Sequence, residues 1–398
     1  MKKILMMLLV FAIVFTGCAK EVETNTAQGI YEDKIVVGTT GAQQGPLAFI
    51  GKPYFDGMNA YFDMVNENGG IEGRKIDLIV LEDEFKPETA IANVQNLIND
   101  EKVFSLVGLF GTPGVKASIP TVKEAGIPAV YFATGATAPV TAGRNFFPVQ
   151  PNYAYEGKLM SQYAVDYFKA KKIAVIYRSD DVGLDGLRGV KEGLKIMGKS
   201  DLLVAELSFD AGATDFTAQV AKVKESGADV LINYSLGGGV SGVLKELEKM
   251  GMTDLPQITP YPNVSDSFVA ANLEASPNAI KNLYGMGWVD MTRPAVKDMS
   301  DAMAKYYPES AVNAYTVSGW IAAETFYKGL EIALENNDIN ELNWEKYIDA
   351  METLDYTDGI IPKIAYSPGE RNGVTNMALV KVVGNTWELQ TDYLEFNK

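Results

Sequence analysis

Two short stretches of this 398-residue chain set hydroxyl groups beside glycine: Gly111-Thr112-Pro113-Gly114 and Thr134-Gly135-Ala136-Thr137. Glycine leaves backbone N–H groups open to close approach, and a threonine hydroxyl adds a donor. Such donors suit an anion, above all where a helix begins with the positive end of its dipole. Each stretch alone is also an ordinary strand-to-helix turn. Two of them, from successive strands, aim at one rim, so the pair is read as a site for the negative end of a solute. A third stretch, Gly237-Gly238-Gly239-Val240-Ser241-Gly242, spells the G-x-G-x-x-G of a dinucleotide turn. That turn wants an acid about 20 residues on, after the next strand, to hold the ribose. Tyr261 follows that strand, so the glycines are read as the lining of a cleft and no cofactor is expected.

The absences narrow the chemistry further. The chain has no histidine and one cysteine, Cys18. Ser-His-Asp and Cys-His catalysis are therefore excluded, and the commonest zinc ligands are missing. No catalytic residue and no metal are expected. Asp and Glu together number 51, so a carboxylate pair of the hydrolytic kind means little here.

Cys18 follows Met1-Lys2-Lys3, an apolar run from Ile4 to Phe15, and Thr16-Gly17. The run is shorter than the ~20 residues of a spanning helix and fits a secretory signal, residues 1–17. Its removal takes two lysines and no acid, so the net charge moves from −16 to 33 − 51 = −18. That acidity argues against nucleic acid, which needs basic patches. Residues 18–32 are polar and read as a tether. Without a second cysteine the fold must be held by its core, and about 380 residues suggest two domains.

The elements that position the loops alternate strand and helix, which implies doubly wound parallel sheets, an α/β class. In the first half, strands are expected at Lys34–Thr39, Lys75–Leu81, 103–110 and 128–133, with helices between. A second series starts after Pro151: helix 155–169, strand Ile173–Tyr177, helix 184–197, strand 202–209, helix 216–226, strand 229–233, helix 241–250 and strand 255–259. A long helix is expected over Ala314–Glu335, and a strand pair closes at Gly384-Asn385. Ligands of open α/β sheets bind beyond the carboxyl ends of strands. The second-half loops there are 179–183, with Asp180, Asp181 and Val182; 234–239, with Tyr234 and Leu236; and Tyr261-Pro262-Asn263.

Val14-Phe15-Thr16-Gly17-Cys18 resembles the lipobox of bacterial lipoproteins, with Phe15 where that family usually has Leu. The resemblance implies a diacylglyceryl group on Cys18, and so an exported protein held on the outer face of the cell membrane or in the periplasm. From Ile35 onward the chain resembles the type I periplasmic solute-binding proteins, in their branched-chain amino-acid branch. The segments that carry this are NENGGIEGRKIDLIVLEDEFKPETA (66–90), VGLFGTPG (107–114), FATGATAP (132–139), AYTVSGWIAAETF (314–326) and IAYSPGERNG (364–373).

That resemblance implies two lobes joined by a three-crossing hinge: lobe 1 from 33–151 and 286–360, lobe 2 from 152–285 and 361–398. Crossings are expected near Gln150–Asn152, Leu283–Gly287 and Gly359–Pro362. It further implies a solute between the lobes, an ABC permease as partner, and a monomer. Carried over by position, Thr112 and Thr137 match hydroxyl donors, Phe110 and Gly135 match backbone contacts, and Ile50 beside Phe49 falls where the family often has an aromatic wall; Gly111 and Thr134, on the same two loops, are counted with the candidate site. In the second lobe, Val182 and Leu236 stand where the family has tyrosines. Tyr261 stands where it has the carboxylate that holds the ligand's amino group. A carboxylate with an apolar or aromatic body, or an amino acid held through Asp181, is the expected solute. A ligand-sensing receptor component and, less favoured, a surface enzyme are the other readings.

Overall fold

The computed structural model describes residues 27–397; Cys18 and the signal-like run lie outside them. The first sheet has five strands in the order β2-β1-β3-β4-β5, all parallel. These are β1 (Lys34–Gly41), β2 (Lys75–Glu82), β3 (Ser105–Phe110), β4 (Ala129–Ala133) and β5 (Phe146–Phe147). Their connections are α1 (Ala48–Glu67), α2 (Pro87–Asn99), α3 (Thr112–Ala125) and a single turn, α4 (Thr137–Val140). β1 and β3 are buried almost end to end, as strands covered on both faces must be, and their sequences are accordingly near-continuous apolar runs. Pro87 opens α2, where its missing N–H costs nothing, and Gly126 ends α3 at φ +71°.

The second sheet has seven strands in the order β14-β13-β10-β9-β8-β6-β7. β6 (Ile173–Arg178), β7 (Leu203–Phe209), β8 (Val230–Tyr234), β9 (Gln257–Thr259) and β10 (Leu283–Gly287) run parallel. α5 (Tyr153–Asp166), α6 (Asp181–Ile196), α7 (Thr217–Ser226), α8 (Gly238–Lys249) and the short α9 (Asp266–Asn272) accompany them. The chain then gives α10 (Ala295–Tyr306), α11 (Ala314–Glu335) and α12 (Trp344–Met351), which belong with the first sheet: α10 and α11 lie against α1, and α12 against α11. A two-strand ribbon, β11 (Asp355–Tyr356) with β12 (Ile364–Ala365), leads back to the antiparallel β13 (Ala378–Val383) and β14 (Thr386–Leu389). The result is two α/β lobes with three crossings: after β5, after β10 and before β13.

Several boundaries differ from the sequence reading. Leu283–Gly287 is β10, an interior strand of the second sheet between β13 and β9, and the crossing follows it. Ala27 to Ile30, expected in the tether, are tied to lobe 1: Ala27 N–H donates to Leu342 O at 3.0 Å, Gln28 Nε2 to Ile98 O and Val103 O, and Ile30 pairs with Ile35. α6 starts at Asp181, three residues before the expected Leu184, so Asp181 and Val182 sit in a first helical turn. α5 and α6 pack backbone to backbone: a Cβ on Gly189 would lie 2.0 Å from Ala154 O, and one on Gly157 would lie 2.3 Å from Gly186 O.

Candidate functional site

The strands of lobe 1 end at Gly41, Phe110 and Ala133, and the two hydroxyl-bearing loops follow the last two. They meet. Thr112 Oγ1 lies 2.6 Å from Thr134 Oγ1, and Thr134 Oγ1 accepts from Ala136 N–H at 3.1 Å. Thr134 is buried while Thr112 is partly open. Either hydroxyl can donate in that pair; Thr112 is the one that also reaches the open side of the loops. Thr137 Oγ1 accepts from Asn152 Nδ2 at 3.0 Å and Arg188 Nη2 at 2.8 Å, so its own proton is free to donate. Gly135 is placed by the first crossing: its carbonyl accepts from Tyr153 N–H at 2.7 Å and Asn152 Nδ2 at 3.2 Å. Gly111, at φ +86°, lies so close to the Phe85 ring that a Cβ would stand 2.3 Å from it.

Phe110 is buried among Tyr54, Phe55 and Phe85. Phe49 on the first turn of α1 is 67% exposed, and Ile50 beside it is half-buried. Below the loops, Gly108 and Tyr131 stand opposite one another in β3 and β4, and both adopt positive φ, +75° and +60°. For a bulky residue that backbone is strained, and such strain gathers at functional sites. The Tyr131 hydroxyl accepts from Gln150 Nε2 at 3.0 Å.

In lobe 2, Val182 is buried and Leu236 half-buried. Tyr261 stacks on Tyr153, with ring centroids 5.9 Å apart, and meets Trp288 edge-on. Its hydroxyl donates to Gln150 Oε1 at 3.1 Å. Gln150, in the first crossing, thus links Tyr131 of lobe 1 to Tyr261 of lobe 2. Tyr234 is wholly enclosed and faces the interior of lobe 2, where it supports the Tyr261 loop. Asp180 pairs with Arg178 at 2.7 Å, and Asp181 with Lys116 of α3 at 2.6 Å.

Glu156, on the first turn of α5, has no exposed surface. Its Oε1 accepts from Tyr261 N–H at 2.7 Å. The Tyr234 hydroxyl touches both Glu156 Oε2 and, at 3.0 Å, the carbonyl of Tyr153. One hydroxyl carries one proton and faces two acceptors. Burial pushes the Glu156 carboxyl up to about 8, against the hydrogen bonds it accepts from Tyr234 and Tyr261, which act to lower it. Burial thus favours the uncharged form of the wall behind Tyr261.

Sequence reasoning missed Gln150, Asn152, Glu156, Lys116, Asp185 and Arg188. Asn152 left a signal, since Asn three residues before the helical Tyr155 is an N-cap pattern, and its side chain does accept from Tyr155 N–H. The charged pair on α6 left none, because charges on a helix face read as solvated. Among the described residues no group of three or more His, Cys, Asp or Glu is placed to hold a metal ion, and no helix is long and apolar enough to cross a membrane.

Residues 34–386 match the model of the Periplasmic binding protein family, so the chain belongs to that family. An amino acid binding protein of Pseudomonas aeruginosa is 29% identical over 222 residues, 55% of this chain and 58% of that one; the chain thus spans less than two thirds of this relative's length. The Leu/Ile/Val-binding protein homolog 3 of Brucella melitensis is 28% identical over 325 residues, 78% of this chain and 82% of that one. Among solved structures, a fatty acid ABC transporter substrate-binding protein from Thermomonospora curvata superposes with a TM-score of 0.78 at 21% identity, covering 93% of this chain and 94% of that one. A branched-chain amino acid ABC transporter protein from Thermus thermophilus with bound valine gives 0.76 at 15%, covering 92% and 97%. A solute-binding protein from R. palustris in complex with benzoate gives 0.71 at 19%, covering 91% and 98%. At these identities the structural likeness establishes the fold: the two-lobed architecture of type I periplasmic binding proteins.

Proposed function

We propose that this chain is the solute-capturing subunit of an ABC importer, exported and lipid-anchored through Cys18, and that it performs no reaction. Its lobes close on a small carboxylate with an apolar or aromatic body. The observation that carries this is the meeting of the 111–112 and 134–137 loops, with the Thr112 hydroxyl partly open and the Thr137 proton left to donate. The molecules named with the three structural relatives, a fatty acid, valine and benzoate, share a carboxylate and differ in the rest. Lobe 2 supports the absence of an ammonium. A buried ammonium needs a paired anion; here Tyr261 replaces the family's acid, burial pushes the Glu156 carboxyl behind it up to about 8, and Asp181 is taken by Lys116.

The test is a thermal-shift panel of common amino acids beside aliphatic and aromatic carboxylates, with calorimetry on the hits and mass spectrometry of solute carried through native purification. Carboxylates without an amino group are expected to bind and leucine to bind weakly. Submicromolar leucine binding that survives Asp180→Asn and Asp181→Asn would overturn the reading of lobe 2.

A further inference from the structure

Helix α6 turns one charged face toward lobe 1. Asp181, Asp185 and Arg188 lie at i, i+4 and i+7 and share that face. Asp185 Oδ2 accepts from the Thr137 N–H at 2.9 Å, across the cleft. Its Oδ1 accepts from Arg188 Nη2 at 2.7 Å, and the same nitrogen lies 2.8 Å from Thr137 Oγ1. Asp185 is the sheltered member, its side chain 20% exposed against 52% for Asp181.

The groups around Asp185 are those that recognise a carboxylate: a backbone N–H on the site loop and a guanidinium. Lys116, one helical turn after Thr112, gives Asp181 what a solute ammonium would give. The chain therefore presents its own carboxylate and its own ammonium to the two lobes.

We propose that Asp185 is an internal competitor for the solute's carboxylate, and that Arg188 is the cation the solute takes over when Asp185 is displaced. This rests on the reading of the 134–137 loop as a carboxylate site. Closure through Asp185 and capture of a solute use the same donors, so a chain closed on itself is not competent to bind. Apparent affinity falls by the fraction of chains that are competent. Asp185 thus sets a threshold. A solute must bring a carboxylate able to replace the internal one, and neutral solutes of the same shape are excluded.

The experiment uses the Cys18→Ser chain, which has no other cysteine. Spin labels are placed at the exposed Glu88→Cys on lobe 1 and Ala211→Cys on lobe 2, and their separation is measured by pulsed electron paramagnetic resonance without added solute. Asp185→Ala and Asp185→Asn, both on an accessible helix face, are expected to shift the distances toward longer values. Calorimetry with sodium benzoate, octanoate and other hits of the panel is expected to show each Asp185 variant binding about ten-fold or more tighter, and Arg188→Met binding about ten-fold weaker. Label distances and affinities unchanged in both Asp185 variants would overturn the inference while leaving the carboxylate site standing. Failure of every carboxylate to bind wild type and variants alike would instead remove that underlying reading, and this inference with it.

Discussion

Tyr234 has one proton for two acceptors, and that constraint makes a titration prediction. Burial pushes the Glu156 carboxyl up to about 8 in the fold, against its ordinary 4.5 in the unfolded chain. Between those values the folded state holds a proton that the unfolded state has released. Stability therefore falls as pH rises from about 4.5 to about 8, by up to ~1.4 kcal/mol per pH unit for this group. Glu324, buried on α11 and pushed up to about 7, adds the same sign over the lower part of that window. Glu156→Gln keeps a neutral group in place and is expected to flatten the slope. Urea unfolding at pH 5, 6.5 and 8 reads this, and an unchanged slope would show that Glu156 is ionised in the fold. At the same scale, Thr112→Val and Thr137→Val keep shape and remove a donor. Each is expected to weaken a carboxylate solute by roughly 1.5–3 kcal/mol, the range for a hydrogen bond to a charged group. The Thr137 variant also loses the contact with Arg188. Calorimetry showing full affinity in both would sink the assignment of these hydroxyls.

At the scale of elements, α6 is fixed by its glycines. Gly189→Ala gains up to about 1 kcal/mol of helix propensity but drives a Cβ to 2.0 Å from the Ala154 carbonyl of α5. Backbone cannot swing aside as a side chain can, so a net loss is expected, within the 1–3 kcal/mol typical of overpacking. Gly212→Ala, with nothing near its Cβ, should change stability by less than ~0.5 kcal/mol. Equal unfolding midpoints for the two variants would contradict the packing described. Strongly periodic elements were legible in the sequence: α11 runs from Ala314 to Glu335, as its apolar spacing predicts, and β1, β2 and β3 follow their apolar runs. α9, α10 and α12 were not assigned, since short polar helices bury only two to four side chains and announce little. The lobe 1 loops could be found because strand ends in an open sheet converge by topology. The partners of those loops on α6 could not, because which face of α6 meets lobe 1 depends on how two lobes are set together. No local pattern encodes that.

For the whole molecule, Cys18→Ser is expected to abolish lipidation and to leave the protein soluble after export or uncleaved at its signal. A variant that fractionates and migrates like wild type would end the proposal of a lipid anchor. If the anchor holds, the docking of Ala27 to Ile30 at the start of β1 fixes its geometry. Nine peptide steps separate Cys18 from Ala27, a leash of at most about 30 Å. It enters lobe 1 at the amino ends of the strands, a β1 length of roughly 25 Å from the rim where solute would bind. Such an anchor would hold the protein by the base of one lobe, at the end away from its mouth. The proposed permease would then be met in a plane, at an effective concentration set by leash length rather than by abundance. Presenting its mouth to a permease in that same membrane, as proposed, would require the molecule to turn over relative to its point of attachment.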